Sequence, residues 1–389
     1  MKSPRARATA NPLDDRPPRD RVSQAALVVW VVCLTGYWFV TVVIQHIAVS
    51  NAWITGDWLI NYSNGFVRRG LMGEICRQLH YLAGFNPISV VVTLKAAFYA
   101  TLCASLLVLA ARRSIGLIEI AIVLSPAALP FEINDPLGSG RKEIALLAAF
   151  ALYVAANDLF PGRKRPIQCQ WQFWYLLVTL PALTLIHEGL FFFLPFFLAY
   201  TWLKDESVRS NGLVLGIPFT IATAAFFLSW IFRGGNGISA AMCSSLTAMS
   251  LDPLLCGGAT AALEHYDVHI GLPDVLRYLL LTILTFGPLA WYAMKALSHS
   301  SRGQFLVTTA VAGAATVPLY LLSEDWGRWM HISAVLMIVT LLACKDVSVR
   351  LPARRPAAAV AGVAAMSVYV FSWQMPHWIH SQLPILKLP

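Results

Sequence analysis

Four short strings in this 389-residue sequence crowd carboxylates together with Arg, Lys or His. Gly56–Gly70 holds Asp57, Arg68 and Arg69 with Trp58, Asn61, Tyr62 and Asn64. Phe131–Glu143 holds Glu132, Asp135, Arg141 and Lys142. The pair His187-Glu188 interrupts a long apolar run, and Ser323–His331 holds Glu324, Asp325, Trp326, Arg328 and Trp329. A carboxylate can take a proton from a hydroxyl as general base. An arginine fork grips phosphate at two points and offsets charge on a leaving group. Aromatic faces offer flat surfaces to sugar rings. Taken singly, a charged residue at the end of an apolar run needs no role beyond anchoring to headgroups, and a Trp there belongs equally to an aromatic belt. The weight rests on the four strings together.

The elements that must position these groups are membrane helices. The chain is 57% hydrophobic and only 13% charged, whereas a soluble domain is about 45–50% apolar and about 25% charged. Mean hydropathy is +0.62. The formal charge of +9 lies in short basic clusters between apolar runs. That pattern orients a membrane protein and argues against a nucleic-acid partner. The first apolar run is too long and too aromatic for a cleaved signal peptide.

Residues 1–24 read as a disordered, basic, Pro-rich cytoplasmic tail carrying Lys2, Arg5, Arg7, Arg16, Arg19 and Arg21. The predicted fold is an all-α polytopic membrane protein with one transmembrane domain over 25–373. Apolar runs lie at 25–48, 88–111, 115–131, 143–160, 172–186, 189–203, 212–232, 275–297, 305–322, 330–344 and 357–373. They make about eleven spans, against a requirement of about 20 residues each. The run 172–203 is read as two half-length spans meeting at His187-Glu188, because a single helix of that length would need extreme tilt. With the N-terminus inside, Arg112-Arg113, Arg163-Lys164-Arg165, Lys204 and Arg209, Lys295 and Arg302, and Lys345 through Arg355 all fall in the cytoplasm. The outer loops are then 49–87, 132–142, 187–188, 233–274 and 323–329, with an outer tail over 374–389. All four reactive strings land on the outer side. Met72–Leu82 has the spacing of an amphipathic interfacial helix.

Carboxylate base, arginine clamp and aromatic platform on one face describe glycosyl transfer from a polyprenyl-phosphate carrier. With an acidic residue (Asp57) soon after the first span and an acidic second outer loop (Glu132, Asp135), the chain resembles the GT-C superfamily of integral-membrane glycosyltransferases. The resemblance covers topology along most of the chain. It implies catalytic roles for Asp57, Glu132 and Asp135. The charged and aromatic strings themselves add Glu188 as a further catalytic carboxylate and Arg68, Arg69, Arg141, Lys142, His187, Asp325, Trp326 and Arg328 as expected substrate contacts. The second loop reads Glu-x-x-Asp rather than Asp-x-Asp, so no metal and no other cofactor is expected. The expected partners are a lipid-linked sugar donor, a glycan or lipid-linked acceptor and the surrounding lipids. The expected place is a bacterial inner membrane, in cell-surface polysaccharide assembly.

Three other readings compete. A transporter or flippase of a lipid-linked saccharide would place charge near mid-membrane and show repeats. A polysaccharide polymerase or ligase would carry arginine and histidine in a large late outer loop; 233–274 has Arg233, His265 and His269. A non-enzymatic assembly subunit would explain motifs that match no strict pattern. There is no P-loop, no Gly-x-Ser-x-Gly elbow and no His-Glu-x-x-His. Of seven cysteines, Cys243 and Cys256 share the fourth outer loop. A bridge there would close about a dozen residues and constrain the unfolded loop by about 3 kcal/mol. Bridge and free thiols both stay open at this point.

Overall fold

Long apolar runs fold as helices because a bilayer offers backbone N–H and C=O groups no water. The computed structural model describes residues 21–43, 51–113, 115–160, 170–204, 212–233, 235, 237–264, 268–345, 356–381 and 384–386. Among the described residues the regular elements are helices, and Trp373 and Leu386 form an isolated bridge. The helices are α1 Arg21–Val43, α2 Leu71–Ala83, α3 Pro87–Arg112, α4 Leu117–Val123, α5 Phe131–Asn134, α6 Glu143–Leu159, α7 Trp171–Ile186 and α8 Pro195–Lys204. They continue as α9 Gly212–Ile231, α10 Ile238–Ala248, α11 Leu272–Ala296, α12 His299–Ala314, α13 Val317–Leu322, α14 Trp326–Cys344 and α15 Pro356–Phe371.

Four stretches are long and apolar enough to cross a bilayer: α3, α11, α12 continued by α13, and α14. Shorter apolar helices include α7 and much of α1, α9 and α15. The chain is a helical membrane protein. α6 and α14 form its centre; α14 is apolar all round after His331 and buried along its length, as a core helix should be. α3 packs on α6 and α1, and α9 on α7. α3 starts cleanly because the Asn86 side chain accepts from the N–H groups of Ile88 and Ser89, with Pro87 in the first turn. Outward faces carry Val28, Val29, Trp30, Leu276, Leu279 and Ile283, an apolar surface suited to lipid.

The run 115–131 departs from the predicted span. Its helix stops at Val123, and the chain turns through Ser125–Pro130 before the single turn of α5. Pro126 and Pro130 each remove an N–H donor and crowd the preceding turn, and two of them four residues apart favour a break here, whereas α7, α9 and α11 each carry one internal proline. The segment is buried against protein, where irregular backbone at membrane depth is tolerated. The run 189–203 likewise begins as 3₁₀ turns over Glu188–Phe193 before α8. The basic clusters 163–165 and 350–355, Arg209 and most of the N-terminal tail lie outside the described residues.

The 374–389 segment was expected as an outer tail. Its described part packs back over α11 and the start of α14. Tyr278 Oη donates to the Pro376 carbonyl at 2.8 Å, Gly327 N–H to that of His377 at 3.1 Å, and Ile379 N–H to that of Glu324 at 3.0 Å. Met375 and Ile379 are fully buried. The amphipathic helix expected over Met72–Leu82 is present as α2, with Ile75 and Leu82 outward and Met72, Gly73 and Cys76 against the protein. Cys243 and Cys256 are neighbours but free thiols; the Cys243 thiol points to the Cys256 carbonyl at 3.8 Å. The turn at Leu251–Cys256 already closes through hydrogen bonds from Leu254 and Leu255 to Asp252.

Gly73 sets how closely α2 approaches the Gly56–Leu59 turn: a Cβ there would run into the Ile60 carbonyl. Gly73→Ala is expected to lower stability by about 1–3 kcal/mol, the usual range for overpacking. Gly36→Ala, in open space on α1, serves as the control. Thermal unfolding in detergent separates the two; equal melting points would mean that α2 shifts freely.

Candidate functional site

At the end of the bundle where α6 and α14 begin lies a cavity of about 1280 Å³. Asp57, Arg68, Arg69, Arg141, His187, Glu188, Asp325 and Arg328 all line it, so the four strings converge. The turn Gly56–Leu59 carries Asp57, and it is fixed from three directions. Trp58 Nε1 donates to the Gly140 carbonyl at 3.0 Å, and Lys95 Nζ to that of Ile54 at 2.7 Å. Gly56 lies so close to the Pro253–Cys256 turn that a Cβ would meet the Leu255 carbonyl at 2.5 Å.

Asp57 is 3% exposed, and its Oδ1 accepts no hydrogen bond. Lys142 Nζ lies 3.6 Å away but donates to the Arg69 carbonyl at 2.7 Å. Burial pushes the Asp57 carboxyl up, and the charges of Lys142, Arg69, His187 and Arg141 outweigh it, leaving a pKa of about 2. Asp57 is therefore an anion at any working pH, with Oδ1 buried toward Lys142 and the side chain in the cavity lining.

Arg69 sits at φ 65°, a left-handed conformation that costs a non-glycine residue about 1 kcal/mol or more. Two contacts hold it there: Lys142 on its carbonyl, and Glu188 on its guanidinium. Nε meets both Glu188 oxygens at 3.0 Å and Nη2 meets Oε1 at 2.8 Å. Burial raises the Glu188 carboxyl, but Arg69 and His187 hold it well below its usual range. Arg68 also reaches Glu188, at 3.4 Å, and donates to the Ala262 carbonyl at 3.1 Å. Arg328 is paired with Glu143 and, at 3.0 Å, with Asp325.

His187 Nδ1 accepts from the Gly189 N–H at 2.9 Å, so the neutral ring carries its proton on Nε2. Burial, then Arg69, lowers its pKa from 6.5 to about 4, against the pull of Glu188, Glu143 and Asp57. A folded-state pKa below the unfolded one means that the unfolded chain binds the extra proton between about pH 6.5 and 4, so stability falls as pH drops through that window. Wild type is expected to lose melting temperature between pH 6.5 and 4 more steeply than His187→Gln. Parallel curves would show a ring that protonates normally.

The remaining expected site residues lie outside the lining. Glu132 accepts the Gly140 N–H at 2.8 Å and faces His331 at 3.6 Å. Asp135 accepts from both the N–H and Nδ1 of His377 at 2.7 Å and from Gly138 N–H at 3.1 Å. These two carboxylates shape the second loop and tie it to the C-terminal segment. Lys142 is fully buried beneath Asp57, and Trp326 packs between Tyr278 and Tyr320 with Nε1 on the Tyr320 carbonyl.

Sequence reasoning missed two parts of the wall. One is apolar: Phe192, Phe226, Phe227, Trp230, Leu319 and Leu322, of which Phe227, Trp230 and Leu322 also face outward. Arg233 caps this wall, its guanidinium over the Trp230 ring at 5.4 Å. The other is His377, Trp378, His380 and Ser381, held to Glu324 by Trp378 Nε1 at 2.9 Å. The signal for it was the His-Trp-Ile-His string after the last apolar run. Among the described residues, no three His, Cys, Asp or Glu side chains are grouped to cradle a metal.

Residues 24–270 match the family model described as Uncharacterised membrane protein Rv1490. The chain belongs to this family. The match takes in the loops carrying Asp57, Arg68, Arg69, Arg141, His187 and Glu188, and ends before α11. Asp325, Arg328 and the C-terminal segment complete the cavity from beyond it. No curated protein and no solved structure matches the chain.

Proposed function

We propose that this protein is a GT-C-like membrane glycosyltransferase, moving a sugar from a polyprenyl-phosphate donor to a glycan or lipid-linked acceptor in cell-surface polysaccharide assembly. In this reading the chain has about eleven spans, counting half-length ones. Its N-terminus is cytoplasmic and the cavity faces the outer side of a bacterial inner membrane. The basic groups at the far end of the bundle support that orientation: Arg112 and Arg113 with Asp158, and Lys345 with Glu119.

One observation carries the function. A single cavity joins an outward-facing apolar wall, guanidinium groups at the end of that wall, and the ionised carboxylate of Asp57 in its lining. The prenyl chain would lie along Phe226, Phe227 and Trp230, with its phosphate at Arg68 and Arg233. Arg68 is tied to that wall by its N–H on the Phe232 carbonyl at 3.2 Å, and its buried Nε has no hydrogen-bond partner. The acceptor hydroxyl oxygen forms a bond to the anomeric carbon as the bond from that carbon to the phosphate oxygen breaks. The electron pair leaves on the polyprenyl phosphate, and the hydroxyl proton passes to Asp57. Glu188 is less suited as base because both its oxygens are engaged by Arg69. The acidic side chain also stabilises positive charge developing on the sugar ring.

The test uses purified protein in proteoliposomes with a panel of polyprenyl-phosphate monosaccharides and a mixed glycan acceptor pool. The expected result is release of free polyprenyl phosphate, with a glycosylated product, from one sugar type. Release from none of the donors would remove the transferase reading.

A further inference from the structure

We propose that Arg141 is the seat for a negatively charged group on the acceptor sugar, a carboxylate or a phosphate ester, separate from the seat of the donor phosphate. The transfer reading underlies the words donor and acceptor; the anion site itself stands on the following geometry. Arg69 is held through Nε and Nη2 by Glu188, and Arg328 by Glu143 and Asp325. Arg141 is only 9% exposed and lines the cavity, yet among the described residues no carboxylate lies within 4.0 Å of its guanidinium. Its one hydrogen bond is a long one, Nε to the Leu137 carbonyl at 3.4 Å. Asp325, Glu143 and Asp57 offset its charge from beyond 4.0 Å while Arg328 opposes it, so a directly bound anion lowers the cost of burying the guanidinium.

The position separates this seat from the donor phosphate. Arg68 and Arg233 adjoin the apolar wall at the end of α9. Arg141 belongs to the second loop, on which Gly138 packs against His377, and its guanidinium lies over Trp53 at 5.5 Å. Trp53 is 42% exposed and is part of the cavity wall. It offers ring surface to a sugar whose anionic group reaches Arg141. Asp57 lies in the field of both Arg69 and Arg141, where a base must stand if the two substrates meet over it.

The experiment measures binding of four probes to the full chain in lipid nanodiscs: methyl glucuronide, glucose 6-phosphate, neutral methyl glucoside and a short polyprenyl phosphate. At least one anionic sugar is expected to bind wild type tenfold or more tighter than methyl glucoside. Which one does so distinguishes a carboxylate from a phosphate acceptor. Arg141→Gln should erase the difference while polyprenyl phosphate binding stays. Arg141→Lys should restore part of it, since charge returns without the fork. Equal binding of charged and neutral sugars to wild type would overturn the inference without any variant. So would Arg141→Gln weakening polyprenyl phosphate as much as the sugar, which would assign Arg141 to the donor. Failure of the transfer reading looks different: anionic sugars bind wild type through Arg141, and polyprenyl phosphate does not bind.

Discussion

Asp57→Asn is expected to abolish sugar transfer, by at least about 100-fold, and to lower the melting temperature at neutral pH, because Lys142 loses its buried counter-charge, while the variant still expresses and folds. The amide keeps the size of the side chain in a fully enclosed turn but can neither take a proton nor stabilise positive charge on the sugar. Stability at low pH should reveal the same group. Its pKa is depressed from 3.8 to about 2. The stabilisation it contributes is therefore fully present above the unfolded value and is lost as pH falls through about 2. The amide variant would lack that low-pH loss, along with the balance against Lys142. Near-normal transfer in the purified variant would move the base away from this turn, and Glu132 and Asp135 are already engaged in holding the second loop.

Arg328→Gln is expected to be the most destabilising single change in the site, by about 3–5 kcal/mol, because it strands Glu143 and Asp325 without their shared cation in a buried place. The pair Arg328→Met with Glu143→Leu should recover much of the loss, since replacing a buried ion pair by apolar groups of similar volume is near neutral. Thermal unfolding in detergent reads both. A single variant that melts like wild type would mean that water reaches Glu143 and screens it.

Much of the scaffold was legible in the sequence, because apolar length is what a bilayer demands of a helix. Nearly every long run is helical along most of its length. The exception at 115–131 has Pro126 and Pro130, but Pro181, Pro218 and Pro288 sit inside unbroken helices, so proline alone did not mark the break. One-sidedness of charge correctly grouped the four strings. It could not divide labour among their carboxylates. Asp57 faces the cavity while Glu132 turns back on Gly140, and that depends on a loop whose Gly140 adopts φ 62°. The apolar wall was hidden because Phe226, Phe227 and Trp230 are indistinguishable in sequence from lipid-facing residues of any span. His377 and His380 were hidden because a short segment after the last apolar run carries no period that says it folds back.

The central claim is that the cavity seats a polyprenyl phosphate, and native mass spectrometry of the protein in nanodiscs tests it most directly. Wild type is expected to retain one long-chain polyprenyl phosphate in preference to the uncharged polyprenol, and Arg68→Lys, which keeps the charge but loses the two-point fork, should retain it markedly less well. Equal retention of phosphate and alcohol, or retention that Arg68→Lys and Arg233→Gln both leave unchanged, would contradict the account.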